Sequence, residues 1–355
     1  MRIVAAPNAF KGSITANEAA KAISRGVKKA LPDAVVAELP LADGGDGTGE
    51  VLSQALGGVK ITPNVSDPLG RTIEACYYFI ESRKTAVIEM AKASGMALLK
   101  HSELDPMSAS TFGTGQLILD AVQQGAERII LGIGGSATND GGTGALRALG
   151  VRFLDSAGNE LDGSGRSLIS IAEIDASGVS PLLGNVEIII AADVTNPLTG
   201  PNGASFVYGP QKGASLEDVK ILDEGLKNFA KVVRNKYRIE LENVPGLGAA
   251  GGIAAGLKAF FDVKMQSGID VVMEACNFEA ALSGAAYVVT GEGKIDSQTG
   301  QGKVISGVIS RAKAAGVPTV AFAGKIDLTD EQVGQLGLSY AATINPDGLP
   351  IEESI

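Results

Sequence analysis

Acidic side chains set among glycines recur in this sequence wherever an apolar run ends. Asp43 and Asp46 stand three apart in Asp43-Gly44-Gly45-Asp46-Gly47-Thr48-Gly49. Carboxylates so paired hold a hard cation such as Mg²⁺ through oxygen ligands, or take a proton from an alcohol. The same residues also suit an Asx-turn that caps a helix. Glu292 and Asp296 flank Lys294 between glycines, as a site or as an exposed charged turn. Asp193 follows the nearly all-apolar run from Val186 to Ala191. A carboxylate at the mouth of a buried strand is costly unless it is solvated or has a task.

A second group of residues suits anions. Gly134-Gly135-Ser136 reads as an anion cradle, because glycine lets backbone amides approach a phosphate and a following helix N-terminus adds a favourable dipole. A plain turn is the ordinary alternative, with Ser136, Thr138 and Asn139 as caps and Asp140 standing behind them. Lys11 and Lys303 are candidate phosphate contacts, although most lysines are only surface charge. The stretch Pro7 to Ser13 is another polar loop at a strand end. Open α/β sheets place their ligand off the carboxyl ends of the strands, so these loops are expected to converge on one cleft.

Composition narrows the chemistry. The chain has 355 residues, 45% hydrophobic, with 47 glycines, a net charge of -10, one histidine and two cysteines. This is enough chain for about two domains with real cores. His101 lies in a polar stretch before a proline and reads as a solvated loop residue, so acid/base work falls to carboxylates and lysines. Cys76 and Cys276 form no metal or disulfide pattern and read as core, which fits a reducing cytoplasm. No basic stripe with interleaved aromatics marks a nucleic-acid surface. Charges or Gly, Asn and Gln interrupt every apolar run before about 18 residues, so no membrane span is expected. The N-terminus reads as a strand rather than a secretory signal. The phosphate loop G-x-x-x-x-G-K-S/T and the protein-kinase motifs are missing.

The elements that must position these loops alternate between β-branched runs and amphipathic segments. Strands are expected at Ile3 to Ala6, Ala34 to Leu39, Arg128 to Gly132, Val186 to Ala191, Tyr287 to Thr290, Thr319 to Ala323 and Ser339 to Ile344. Helices are expected at Thr15 to Ala30, capped by Thr15 and Glu18, at Gly49 to Leu56, at Gly113 to Gln124 and at Leu216 to Tyr237. From Ile61 to Met90 the texture turns antiparallel, with Ile61 to Val65, Arg71 to Ile80 and Thr85 to Glu89 as strands and a turn at Asp67-Pro68-Leu69-Gly70. The small-residue stretch Gly246 to Gly256 suggests close backbone packing or a ligand cradle.

Gly132, Gly134 and Ala137 also fit a dinucleotide fingerprint, with Asp155 about 18 residues on. An NAD(P)-dependent oxidoreductase is therefore a rival, though that match leaves the other acidic loops unexplained. A non-catalytic sensor of the same fold is a second rival.

Taken together, Pro7 to Ser13, Leu41 to Thr48, Gly134 to Gly142, Asp193 to Leu198 and Thr290 to Asp296 strongly resemble the bacterial type I glycerate kinases, in order and over nearly the whole chain. The resemblance implies two α/β domains. The first carries a mostly parallel, Rossmann-like sheet and spans 1–63 plus 285–355; a mixed-sheet domain, 64–284, is inserted into it, with the active site in the cleft between them. Members usually carry one more C-terminal helix. The implied activity is ATP-dependent, Mg²⁺-assisted phosphorylation of D-glycerate to 2-phosphoglycerate, with the 3-phosphate as the other product the substrate allows. Asp193 is then the first choice for the base, Asp296 the second, and Lys11 neutralises charge on the transferred group or grips the substrate carboxylate. Gly134, Gly135, Ser136, Asn139 and Lys303 hold the nucleotide. Asn8, Ser13 and Glu292 hold glycerate, and Asp43 and Asp46 hold the metal. A cytoplasmic enzyme without nucleic-acid or membrane partners follows, with a homodimer as the assembly to test for.

Overall fold

The structure is a computed structural model that describes residues 1–10, 12–45, 47–296, 299 and 304–345. Its strands, in chain order, are β1 (Arg2–Ala5), β2 (Val35–Glu38), β3 (Val59–Ile61), β4 (Asn64–Ser66), β5 (Thr72–Glu74), β6 (Tyr77–Ile80), β7 (Thr85–Glu89), β8 (Arg128–Gly132), β9 (Arg152–Leu154), β10 (Glu173–Asp175), β11 (Glu187–Ala191), β12 (Val263–Gln266), β13 (Tyr287–Ile295), β14 (Thr319–Ile326) and β15 (Tyr340–Thr343). The chain divides into two compact units, Met1–Gly57 with Ser267–Ile355, and Gly58–Gln266 between those two segments.

The first unit is built on a five-stranded, all-parallel sheet in the order β15-β14-β13-β1-β2. Its first helix, Ala16–Ala30, begins where the sequence places it. Thr15 Oγ1 accepts the Glu18 amide at 3.2 Å and the Glu18 carboxylate accepts the Thr15 amide at 2.9 Å. Such a box satisfies two helix-end donors that would otherwise lack partners. Ala16, Ala19 and Ala20 are buried, and side chains that small let a helix lie close against its neighbours.

The unit boundaries fall earlier than the expected 63/64 and 284/285. Helices Gly268–Ala275 and Phe278–Leu282 belong to the first unit. Gly268 packs on the backbone of Asp43, where a Cβ would lie 1.9 Å from the carbonyl oxygen. Arg311 bridges Asp270 at 2.9 Å and Glu279 at 2.5 Å. Strand β13 also runs on to Ile295 and β14 to Ile326, so Glu292 and Lys294 are strand residues rather than loop residues.

The second unit holds a six-stranded mixed sheet, β12-β11-β8-β7-β6-β3, in which the first four strands run parallel, β6 pairs antiparallel with β7 and β3 antiparallel with β6. Residues 129–132 and 188–191 are buried throughout, the signature of strands covered on both faces. Ile88, Leu131, Ile190, Phe229 and Ile253 share one core there. The expected strand from Arg71 to Ile80 is two strands. One closes the β4–β5 hairpin over the Asp67 turn, and the other joins the main sheet through β7. Asp67 Oδ1 ties that turn by accepting the amides of Leu69 at 2.8 Å and Arg71 at 2.9 Å.

Cys76 and Cys276 are free thiols, half-buried rather than core, and His101 is exposed as expected. Among the described residues no helix is long and apolar enough to cross a membrane.

Candidate active site

In the first unit the chain leaves β1 for β2 on one side and returns through β13 on the other. The loops leaving β1 and β13 therefore diverge, and such a topological switch point opens a crevice off the carboxyl edge. Asn8 stands at that point, its amide donating to the Gly291 carbonyl of β13 at 2.8 Å. The loops that follow β1 and β2 enclose a cavity of about 500 Å³. Asn8, Ser13 and Asp43 line it with polar groups, against Phe10 and Leu41. That volume suits a small ligand.

Asp43 Oδ1 accepts the Gly45 amide at 3.2 Å, so the Asx-turn that the sequence allowed is present. At the end of β13 one hydroxyl links two carboxylate residues. Thr299 Oγ1 donates to Glu292 Oε1 at 3.2 Å and accepts the Asp296 amide at 3.0 Å. Glu292 is buried on its strand, and neither it nor Asp296 is among the described lining residues of the cavity. Lys294 Nζ lies 3.0 Å from both Asp327 and Asp296, which raises its pKa, and Lys325 together with Lys294 lowers that of Asp327.

In the second unit the carboxyl ends of β7, β8 and β11 carry the remaining candidates. Gly134 and Gly135 are exposed, and Gly135 has a φ of +70°, a backbone state that glycine adopts freely. Ser94–Met96 runs antiparallel to this loop, with Met96 N to Gly135 O and Ala137 N to Ser94 O both at 2.9 Å. The next helix does not begin until Thr143, so a helix dipole does not bear on Ser136. Any anion there would meet loop amides and hydroxyls. Asn139 is buried and donates from Nδ2 to Ser205 Oγ at 2.9 Å. Asp193 is exposed two residues past β11, so it bears little of the desolvation cost that the sequence argument weighed.

Behind the loop lies a cation that sequence reasoning missed. Lys212, 2% exposed, donates from Nζ to Ser136 Oγ at 2.8 Å and to the Thr138 carbonyl at 2.6 Å. Burial lowers its pKa to about 7, against the pull of the Asp140 carboxylate, which favours the charged form. Asp140 is itself fully buried, and burial raises its pKa although four donors favour its anion. Gly-Pro-Gln-Lys-Gly reads as a surface turn, so nothing local announced Lys212. Glu89 was missed too. It is a buried carboxylate ending β7, 3.4 Å from Lys92 Nζ, and its position after an apolar run parallels that of Asp193.

Lys11, Asp46 and Lys303 lie outside the described residues. Among the described residues no three His, Cys, Asp or Glu side chains gather at metal-binding spacing. The dinucleotide fingerprint lacks its context. No helix opens after Gly134, and Asp155 follows a strand of a separate two-stranded ladder, β9–β10. The stretch Gly246 to Gly256 is close backbone packing: a Cβ on Gly251 would lie 2.1 Å from the Thr138 carbonyl oxygen, and one on Gly256 2.3 Å from that of Gly141.

Comparison with known proteins agrees with this arrangement. The model of the glycerate kinase family matches residues 3–355. A glycerate kinase of Halalkalibacterium halodurans is 45% identical over 353 residues, covering 99% of this chain and 93% of that protein. A glycerate 2-kinase of Escherichia coli is 45% identical over 331 residues, covering 93% of this chain and 86% of that protein. The crystal structure of a candidate glycerate kinase 2 from Salmonella typhimurium superposes with a TM-score of 0.90 at 43% identity, covering 97% of this chain and 90% of that one. Matched along its length in sequence and in fold, the chain belongs to the glycerate kinase family of enzymes.

Proposed function

We propose that this enzyme phosphorylates D-glycerate with ATP and Mg²⁺, releasing 2-phosphoglycerate and ADP in the cytoplasm. The observation that carries the reading is the polar cavity off the carboxyl ends of β1 and β2, which Asn8, Ser13 and Asp43 line. Phosphoryl transfer asks for positioning and charge neutralisation more than for covalent chemistry. Backbone amides and hydroxyls of the Gly134–Asn139 loop bind phosphate oxygens. Asn8, Ser13 and Glu292 orient the small acid, and Lys11 neutralises charge on it or on the transferred group. Asp193 accepts the hydroxyl proton, with Asp296 as the other base of the right type.

Asp43 and Asp46 would hold the metal, which neutralises phosphate charge when bound. The donors are hard oxygens, as Mg²⁺ prefers. The loop around Asp43 is walled by glycine, and a Cβ on Gly45 would approach Asp43 Oδ1 to 3.1 Å. Mg²⁺ commonly takes only one or two protein carboxylates beside substrate phosphates and water, so a pair suffices.

The test is ADP release from Mg-ATP with and without D-glycerate, with phosphorus NMR reading which hydroxyl is esterified. Glycerate-dependent ADP release and a 2-phosphate product support the proposal; release indifferent to glycerate overturns it. Protection from heat by NAD(H) alone would favour the oxidoreductase instead. Sedimentation tests the homodimer.

A further inference from the structure

We infer that Lys212 is a positioning residue of the nucleotide site: its buried ammonium orients the Ser136 hydroxyl so that the Gly134–Asn139 loop offers a donor to an anionic phosphate group. The inference deepens the proposed function and rests on it.

Lys212 ends the short turn Pro210–Lys212 and reaches a segment 76 residues earlier in the chain. Two of its three N–H groups are accounted for by Ser136 Oγ and the Thr138 carbonyl. A hydroxyl that accepts from a cation turns its own proton away from that cation. The proton is also polarised, which makes it a stronger donor to an anion. Ser136 is 5% exposed and follows two exposed glycines, so that proton sits just beneath the open part of the loop. The pairing with Ser94–Met96 uses the Gly135 carbonyl and the Ala137 amide, and fixes the backbone on either side of Ser136.

Filling space does not explain a lysine here. An ammonium taken out of water is costly, and a methionine would fill the same volume. The loop it enters is rich in buried acceptors. Among the described residues, Thr138 Oγ1 and Asn139 Oδ1 are buried without a hydrogen-bond partner, on the carbonyl residue that Lys212 holds and its neighbour. While Lys212 is protonated, its positive charge at that depth keeps the acceptor-rich loop from repelling a phosphate.

The experiment is steady-state kinetics of Lys212→Met, Ser136→Ala and the double variant, with denaturation midpoints alongside. The expected result is a KM for Mg-ATP raised roughly tenfold or more in each single variant. The KM for glycerate should stay within about twofold. The double variant should be no worse than the poorer single one, because the lysine acts through the serine. Unchanged KM for Mg-ATP in Ser136→Ala overturns the inference even if Lys212→Met fails to fold. So do equal rises for both substrates, or penalties that multiply in the double variant, since those mark a merely structural lysine. Wild-type enzyme that releases no ADP with glycerate overturns the proposed function, and this inference with it.

Discussion

The carboxylate of Asp140 accepts both the backbone amide and the hydroxyl of Thr111, each at 2.7 Å. It also accepts the amides of Gly142 at 3.0 Å and Gly144 at 3.3 Å. One buried side chain thus closes the end of the Gly134–Asn139 loop, binds the amides of Gly142 and Gly144 where the helix Thr143–Ala148 begins, and anchors the start of the helix Phe112–Gln123. Replacing it by alanine strands four donors in a dry interior. Asp140→Ala should cost about 3–5 kcal/mol, and Thr111→Val about 1–2 kcal/mol, in urea denaturation. A loss under about 1 kcal/mol for Asp140→Ala would show that water reaches those donors freely.

Lys212 should make stability depend on pH in an unusual direction. Its folded pKa, lowered by burial to about 7, lies below its unfolded value, and Asp140 is the charge that opposes the shift. Between those two values the unfolded chain holds a proton that the folded chain has released, so stability rises with pH across that window. Below about 7 both states carry the proton and the folded state bears the cost of a buried ammonium. Asp140, whose pKa is raised, acts in the opposite sense in a window that opens near the ordinary carboxylate value of about 4. From pH 7 to 9.5 the wild type should therefore gain on the order of 2–5 kcal/mol relative to Lys212→Met. Parallel pH curves for the two proteins would mean that the lysine keeps its ordinary pKa.

The loops after β1, β8 and β11 were legible in the sequence because each follows a short, mostly buried strand, and that pattern is local. Thr15 and Glu18 gave away the first helix for the same reason, since a capping box spans four residues. What stayed hidden was tertiary. Lys212 meets Ser136 only through packing of distant segments, and a lysine between proline and glycine looks like any surface turn. The true length of β13 was concealed by its glycines, because Gly291 and Gly293 read as a turn until β14 pairs alongside them. Helices Gly268–Ala275 and Phe278–Leu282 join the first unit through contacts with residues far along the chain, such as Arg311, which shifts the boundary.

The candidate carboxylates should separate stability from turnover. Asp193 is exposed, and Asp43 accepts the Gly45 amide, a bond that an amide oxygen can also accept. Asparagine at either position should change unfolding free energy by less than about 1 kcal/mol. Turnover should fall by about 10²–10⁴ for Asp193→Asn if it is the base. Asp43→Asn should instead raise the Mg²⁺ concentration needed for half-maximal rate. Near wild-type turnover in both Asp193→Asn and Asp296→Asn would remove the base from these two residues.

Gly251 and Gly284 share a positive φ, +74° and +71°, but differ in their surroundings. At Gly284 no heavy atom lies within 4 Å of where a Cβ would sit, so alanine there bears only the left-handed backbone cost of about 1 kcal/mol. At Gly251 the same Cβ would lie 2.1 Å from the Thr138 carbonyl oxygen and 2.6 Å from Asn139 Cα. Both contacts are backbone, so the loop must move. Gly251→Ala should therefore lose about 3 kcal/mol or more, against roughly 1 kcal/mol for Gly284→Ala. Since the displaced carbonyl is the one that Lys212 holds, surviving Gly251→Ala enzyme should also show a raised KM for Mg-ATP, which Gly284→Ala should not. Equal losses from the two substitutions would mean that the segment from 246 to 256 yields without disturbing the loop at Thr138.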